Sequence, residues 1–166
     1  MTVTPRTEPG SPTYAKKWWW DVNIGTHEAP DWLEIGSFNN FNMEINPTTK
    51  DNSTYQSGKW GSDVTTKLKY ALNAKFIRNT LPTDPSAYDP GQEVMREYGF
   101  LTGPAGRVET RWYEMDDEGP REEAYQGYQT VQWKPDPGAD DDLSTVSVVC
   151  PGQGTPEPIA HPSPNS

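Results

Sequence analysis

From residue 18 onward the chain alternates apolar and polar positions with a period of two. Trp18, Trp20, Val22 and Ile24 are separated by Trp19, Asp21 and Asn23, and Phe41, Met43 and Ile45 by Asn42 and Glu44. Successive side chains of an extended strand point to opposite faces, so both stretches predict half-buried β-strands. Residues 65–78 carry the pattern furthest: Leu68, Tyr70, Leu72, Ala74 and Phe76 line one face and Lys67, Lys69, Asn73 and Lys75 the other. Residues 32–38 are apolar at Trp32, Leu33, Ile35 and Phe38, which predicts a strand covered on both sides. Residues 107–115, 122–134 and 143–150 bring the set to about seven strands. Gly127 marks a candidate bulge in the second of these three.

One helical signal interrupts the strands. Asp89 is placed to cap a helix, Pro90 suits its first turn, Gln92 is placed to close a capping box and Gly99 to end it. Val94, Tyr98 and Leu101 would then share one side. Residues 1–16, with Pro5, Pro9, Gly10 and Pro12, lack periodicity and read as an extended N-terminal arm. Residues 151–166, with Pro151, Pro156, Pro158, Pro162 and Pro164, read as a C-terminal tail without a fold of its own. The expected fold is mainly β: an antiparallel sandwich or barrel over residues 17–150 with one short packed α-helix, flanked by the two arms.

Composition sharpens this picture. Of 166 residues only 32% are hydrophobic, but 7 Trp, 8 Tyr and 4 Phe are present, so aromatic rings must supply much of the core. The 14 Gly and 17 Pro leave little room for long helices. A single cysteine, Cys150, excludes an intrachain disulfide, and with only His27 and His161 beside it no Cys/His zinc site is expected. No apolar run approaches the roughly 20 residues of a spanning helix, and residues 1–12 lack the apolar segment of a secretory signal. A soluble chain without a membrane role is therefore expected.

The net charge of -10 is unevenly placed. Residues 109–142 hold 11 acids against Arg111, Arg121 and Lys134, a net of -8, whereas residues 46–78 hold Lys50, Lys59, Lys67, Lys69, Lys75 and Arg78 against Asp51 and Asp63, a net of +4. Such a balance argues against non-specific nucleic-acid binding, which depends on clustered Lys and Arg. It suits a surface that repels phosphate equally well.

Catalytic patterns are absent from the sequence. His27 sits beside Glu28 and Pro30 in a turn and His161 in the Pro-rich tail, so neither is poised to activate a nucleophile. Glu122 and Glu123 are adjacent and would point to opposite faces of a strand. Asp136, Asp140, Asp141 and Asp142 depart from a calcium-loop pattern at Pro137, and Gly103 to Gly106 lead into a strand rather than a phosphate-binding helix. No cofactor or metal is expected. The row Trp18, Trp19 and Trp20 could offer a stacking platform for sugars, although alternation turns two of the three inward.

One stretch is more specific. Trp32-Leu33-Glu34-Ile35-Gly36, then Phe41, then Ser53-Thr54-Tyr55-Gln56-Ser57-Gly58-Lys59-Trp60-Gly61-Ser62 and a long alternating strand resemble the major tail tube proteins of long-tailed bacteriophages. The resemblance continues through the helix after Asp89, the strand with Arg111, Trp112 and Tyr113, and residues 123–127, covering about residues 17–150. It implies a structural, non-enzymatic sandwich that closes into hexameric rings, stacked into a hollow tube that delivers genomic DNA. The implied partners are other copies of the chain, a tape measure protein, a tail terminator and distal tail proteins, with DNA passing through the lumen unbound. The implied location is the virion tail, after synthesis in the host cytoplasm.

Combining this with the charge pattern yields candidate surfaces. Pro47, Gly58 and Gly61 suit a long exposed loop over residues 46–63, in which Lys50, Asp51, Tyr55, Ser57, Gly58, Lys59 and Trp60 are the expected inter-ring contacts, and Lys67, Lys69 and Lys75 form a basic docking face. Glu109, Glu114, Asp116, Asp117, Glu118, Glu123, Asp140, Asp141 and Asp142 are candidates for an acidic lumen or ring edge. Two alternatives stay open: the inner tube of a contractile tail or phage-derived injection particle, and a Trp-rich carbohydrate-binding sandwich.

Overall fold

The computed structural model describes residues 17–116 and 119–164. The expected N-terminal arm, residues 1–16, lies outside them. The order is β1 (Trp18–Asn23), β2 (Trp32–Glu34), β3 (Phe38–Asp51), β4 (Asp63–Ile77), β5 (Thr80–Leu81), β6 (Asp84–Tyr88), α1 (Pro90–Tyr98), β7 (Val108–Glu114), β8 (Ala124–Gln129), β9 (Gln132–Pro135) and β10 (Thr145–Pro158). All pairings are antiparallel. Apart from the β5–β6 hairpin, the strands follow the order β2-β1-β7-β8-β10-β4-β3, with β9 on the first half of β10. The fold is thus the expected mainly-β architecture, with short additional strands and one helix.

Two sheets share one strand. Residues 145–151 of β10 pair with β4, while residues 152–158 of the same strand pair with β8. The sheets bury an aromatic core between them. Trp20 and Val22 of β1, Trp112 of β7, and Leu72 and Phe76 of β4 are fully buried, joined by Val148 and Cys150 of β10. The Trp20 ring meets Phe38, Phe41 and Phe76 at 6.1, 5.4 and 6.0 Å between centroids, within the range where edge and tilted ring contacts attract. Period-two alternation predicts this inward set for Trp20 and Val22 of β1 and for the second half of β4, but β1 is not half-buried: Asp21 and Asn23 are buried too, and Ile24 is exposed.

Elsewhere the structure corrects the sequence-based expectations. Residues 32–38 do not form one doubly covered strand. β2 has three residues, Trp32 and Leu33 are only half-buried, and Phe38 starts the next strand after a turn through Ser37 at φ 56°. Residues 122–134 split into β8 and β9 at Thr130, and Gly127 sits in unbroken register opposite Thr110. On its other edge Gly127 faces the irregularity of the β8–β10 ladder: partners pass from Tyr128 and Gln153 to Gln126 and Glu157, with the extra residues in β10. Residues 151–158, expected as part of an unfolded tail, continue β10. Past Pro151, which pairs with Ala71 of β4 and accepts from Thr130 N at 3.1 Å, β8 binds only one edge of the segment, and a proline whose nitrogen faces the open edge breaks no ladder bond.

Helix α1 begins and ends where expected, but by a different mechanism. The Asp89 side chain makes no cap bond; its Oδ2 accepts from Gly36 N at 3.1 Å. Gln92 closes no capping box: its amide donates to Gly36 O at 2.7 Å and Ile77 O at 3.2 Å, tying the helix to the start of β3 and the end of β4. The buried face carries Met95, fully enclosed, with Val94 and Tyr98 half-buried beside the core, while Leu101 is exposed. Among the described residues no helix is long and apolar enough to cross a membrane.

Candidate assembly surface

The hairpin of β3 and β4 runs outward past the buried core. Register runs from Phe38 opposite Phe76 out to Asp51 opposite Asp63, with irregularities after Asn39 and Thr48. From Tyr70 onward the β4 residues on the inward face are buried, but residues 44–56 and 58–69 are exposed. Of the expected loop over residues 46–63, residues 46–51 and Asp63 belong to the paired strands, and residues 52–62 form the tip.

Local chemistry orders that tip. Asn52 N donates to Ser62 O at 2.9 Å and Ser62 N to Ser53 Oγ at 2.7 Å, pinching its neck. Thr54 and Ser57 make reciprocal cap bonds around the single turn Tyr55–Ser57, and Gly58 at φ 67° lets the chain leave it. Only glycine adopts such a φ without strain. The ring of Tyr55 is fully exposed and Trp60 is 84% exposed.

The arm has two unlike faces. Met43, Ile45 and Pro47 stand opposite Leu72, Tyr70 and Leu68, so the apolar face of the core continues outward past the sandwich. Leu68 was expected inside by its alternation; it is 67% exposed, with Ile45 at 55% and Val64 at 47%. The other face carries Lys67 and Lys69, opposite Thr48 and Asn46. Lys50 and Lys59 lie exposed nearer the tip. Lys75, further along the same strand, is paired within the chain: its Nζ lies 3.6 Å from Asp136 Oδ2. Hydrogen bonds from Ser147 and Thr145, with Lys75 beside them, hold that carboxyl below its usual pKa.

The acidic candidates divide. Glu114 is fully buried and accepts from the backbone N–H groups of Glu122 and Glu123. Glu109 is 6% exposed and accepts from Asn23 at 2.9 Å, with His27 Nδ1 at 2.6 Å. Both carboxylates are committed inside the chain, which removes them from the candidate lumen set. Burial works to raise the Glu109 pKa, but hydrogen bonds from His27, Asn23 and Tyr128 outweigh it and hold it below the usual carboxylate range. Glu123 is half-buried and accepts from Tyr125 OH at 3.3 Å. Asp116 is half-buried, and Asp117 and Glu118 lie outside the described residues. Asp140, Asp141 and Asp142 are exposed in a turn that Asp142 closes on Ala139 N.

Other conspicuous polar groups are likewise structural. Asp21, buried on β1, binds Arg111 Nε at 2.8 Å and Tyr113 OH at 3.2 Å across the β1–β7 ladder. Burial first, then Asp21, pushes the Tyr113 phenol up to about 12. Arg78 bridges Gln92 and Glu93 of α1 with its guanidinium 4.0 Å from the Tyr88 ring centroid. His161, expected in an unfolded tail, bonds Glu114 O at 2.7 Å and packs its ring on Tyr113. Of the tryptophan row, Trp20 is buried, Trp18 packs on Phe41, and Trp19 is 42% exposed beside Tyr113. No group of three or more His, Cys, Asp or Glu able to hold a metal occurs among the described residues.

No protein-family model matches the sequence, and no curated protein matches it. Solved structures do share its fold. A chain in the sixfold-symmetrised baseplate of the anti-feeding prophage superposes with a TM-score of 0.60 at 7% identity, over 93% of this chain and 100% of that one. A chain in the tail of the empty gene transfer agent particle, refined helically with C6 symmetry, gives 0.56 at 11% identity over 84% of this chain and 95% of that one. A chain of the native gene transfer agent virion gives 0.55 at 10% identity, covering 85% and 95%. At such identities the likeness is one of fold.

Proposed function

We propose that this chain is a structural subunit of a phage-type tail, forming hexameric rings that stack into a hollow tube for passage of DNA. The observation that carries the reading is the arm over residues 44–69, an amphipathic hairpin whose apolar stripe leaves the sandwich uncovered. A hairpin of two strands is marginal in water by itself, and an uncovered apolar row marks a contact surface. Shared fold with chains of sixfold tail and baseplate assemblies supports a ring in which such an arm meets a neighbour. Contacts between two different patches propagate from copy to copy instead of closing on a pair. Asp140, Asp141 and Asp142 remain candidates for a surface that repels phosphate, beside exposed lysines kept on the arm.

A second reading is favoured by the full coverage of the anti-feeding prophage chain: an inner-tube or baseplate subunit of an injection particle, with the same assembly chemistry. Thr48 and Lys67 are register partners, so replacing residues 48–67 by an Asn-Gly turn preserves the pairing below them. Negative-stain imaging should show tubes or stacked rings from the intact chain and only folded monomers or single rings from this variant. Normal tubes from the variant would reject the arm as the stacking element.

A further inference from the structure

At the foot of the arm lies an apolar groove of about 230 Å³, walled by Ile45, Leu68 and Tyr70 on one side and Gly154, Thr155 and Pro156 on the other, with Lys69 at its edge. The second wall exists because β10 departs from register between Gln153 and Glu157, with Gly154 at φ 93°. Bulges of this kind re-aim a strand locally. The groove is smaller than the roughly 300–1,000 Å³ of small-molecule sites; its size suits one large side chain.

We propose that Trp60 of one copy seats in this groove on the next copy, in head-to-tail order. This rests on the tube reading and names its contact. Trp60 is the large apolar ring presented at 84% exposure on a tip already closed by its own hydrogen bonds, so little order is lost on docking. Charge favours the same pairing. Asp51 and Asp63 face each other across the neck of the tip, a like-charge juxtaposition that costs stability in a sheet, and the groove brings Lys69 towards them. Tip and groove lie at opposite ends of one extended arm, so a chain cannot satisfy its own groove. A second copy can.

The test uses the full chain under assembling conditions. Trp60→Ala should raise the concentration needed for polymerisation about 30-fold, as loss of a central aromatic anchor does, and Trp60→Phe should recover part of it. Circular dichroism of the monomers should stay unchanged. The double variant Lys59→Cys/Glu157→Cys, which keeps Trp60, should give a ladder of many linked chains with a short bismaleimide, since Cys150 is fully buried. Wild-type tubes with Trp60→Ala assembling at the same concentration, or a ladder that stops at two chains, would overturn the seating and leave the tube reading intact. A wild-type chain that never polymerises would overturn both.

Discussion

Replacing Tyr70 by Phe probes the point where the packed sandwich gives way to the free arm. Tyr70 is 4% exposed; its hydroxyl donates to Tyr128 O at 2.9 Å and accepts from Gln129 Nε2 at 3.1 Å, and its ring stacks on Trp112 at 5.8 Å. The variant keeps the stack and removes one oxygen. Losing the bond to Tyr128 costs about 1 kcal/mol, and stranding the donor of the fully buried Gln129 roughly 1–3 more. The stranded donor is the larger contribution, because Tyr128 O stays in its ladder. A total of about 2–4 kcal/mol should lower Tm by roughly 6–12 °C in a chain of 166 residues. Thermal melts followed by circular dichroism measure this directly. Repeating the substitution in a Gln129→Met background isolates the contact, and a coupling above about 0.5 kcal/mol is expected. A Tm within about 1 °C of wild type, with no coupling, would refute the idea that this hydroxyl fixes the foot of the arm.

Three further outcomes are expected. The Glu109 carboxylate, by hydrogen bond and then by charge, raises the His27 pKa above 6.5; that pair therefore stabilises the fold fully below the unfolded value and is lost as pH rises through the raised one. The Tm of wild type should fall across that interval while His27→Gln stays flat, and parallel curves would exclude the linkage. Gly91→Ala adds a Cβ at 2.4 Å from Glu34 O and 2.7 Å from Ile35 Cα, both backbone atoms; the clash should exceed the roughly 1 kcal/mol gained in helix propensity and lower the urea midpoint. Polymerisation, if steered by Lys50, Lys59, Lys67 and Lys69, should slow between about 50 and 300 mM salt, and a rate indifferent to salt would rule out those lysines.

The core was legible because its signal is local. Trp20, Val22, Leu72, Ala74 and Phe76 announce their faces by alternation alone. The arm was only half legible for the same reason: Leu68 continues the Leu72 and Tyr70 pattern without a break, and periodicity says which way a side chain points, never where the opposite sheet ends. The tip was legible from Pro47, Gly58 and Gly61, but its length was overestimated because Thr48, Thr49 and Lys50 pair across the hairpin in a polar stretch. Glu109 and Glu114 were misplaced since a carboxylate on a strand reads as solvent-facing unless its partners are known. Those partners, Asn23, His27 and two backbone N–H groups, come from other elements. The groove at Gly154 to Pro156 had no sequence signal beyond a proline-rich run that resembles a disordered tail.

The strand that belongs to both sheets has a mechanical consequence. Its first half is bonded to β4, the root of the arm, and its second half to β8, deep in the other layer. In most sandwiches the layers are held by side-chain packing, a soft joint that yields to sliding. Here a continuous covalent backbone crosses the joint, so a pull on the hairpin is carried as tension along one chain into the opposite layer. A stack of such units would behave as a series of stiff links, with compliance confined to the seams between neighbouring copies.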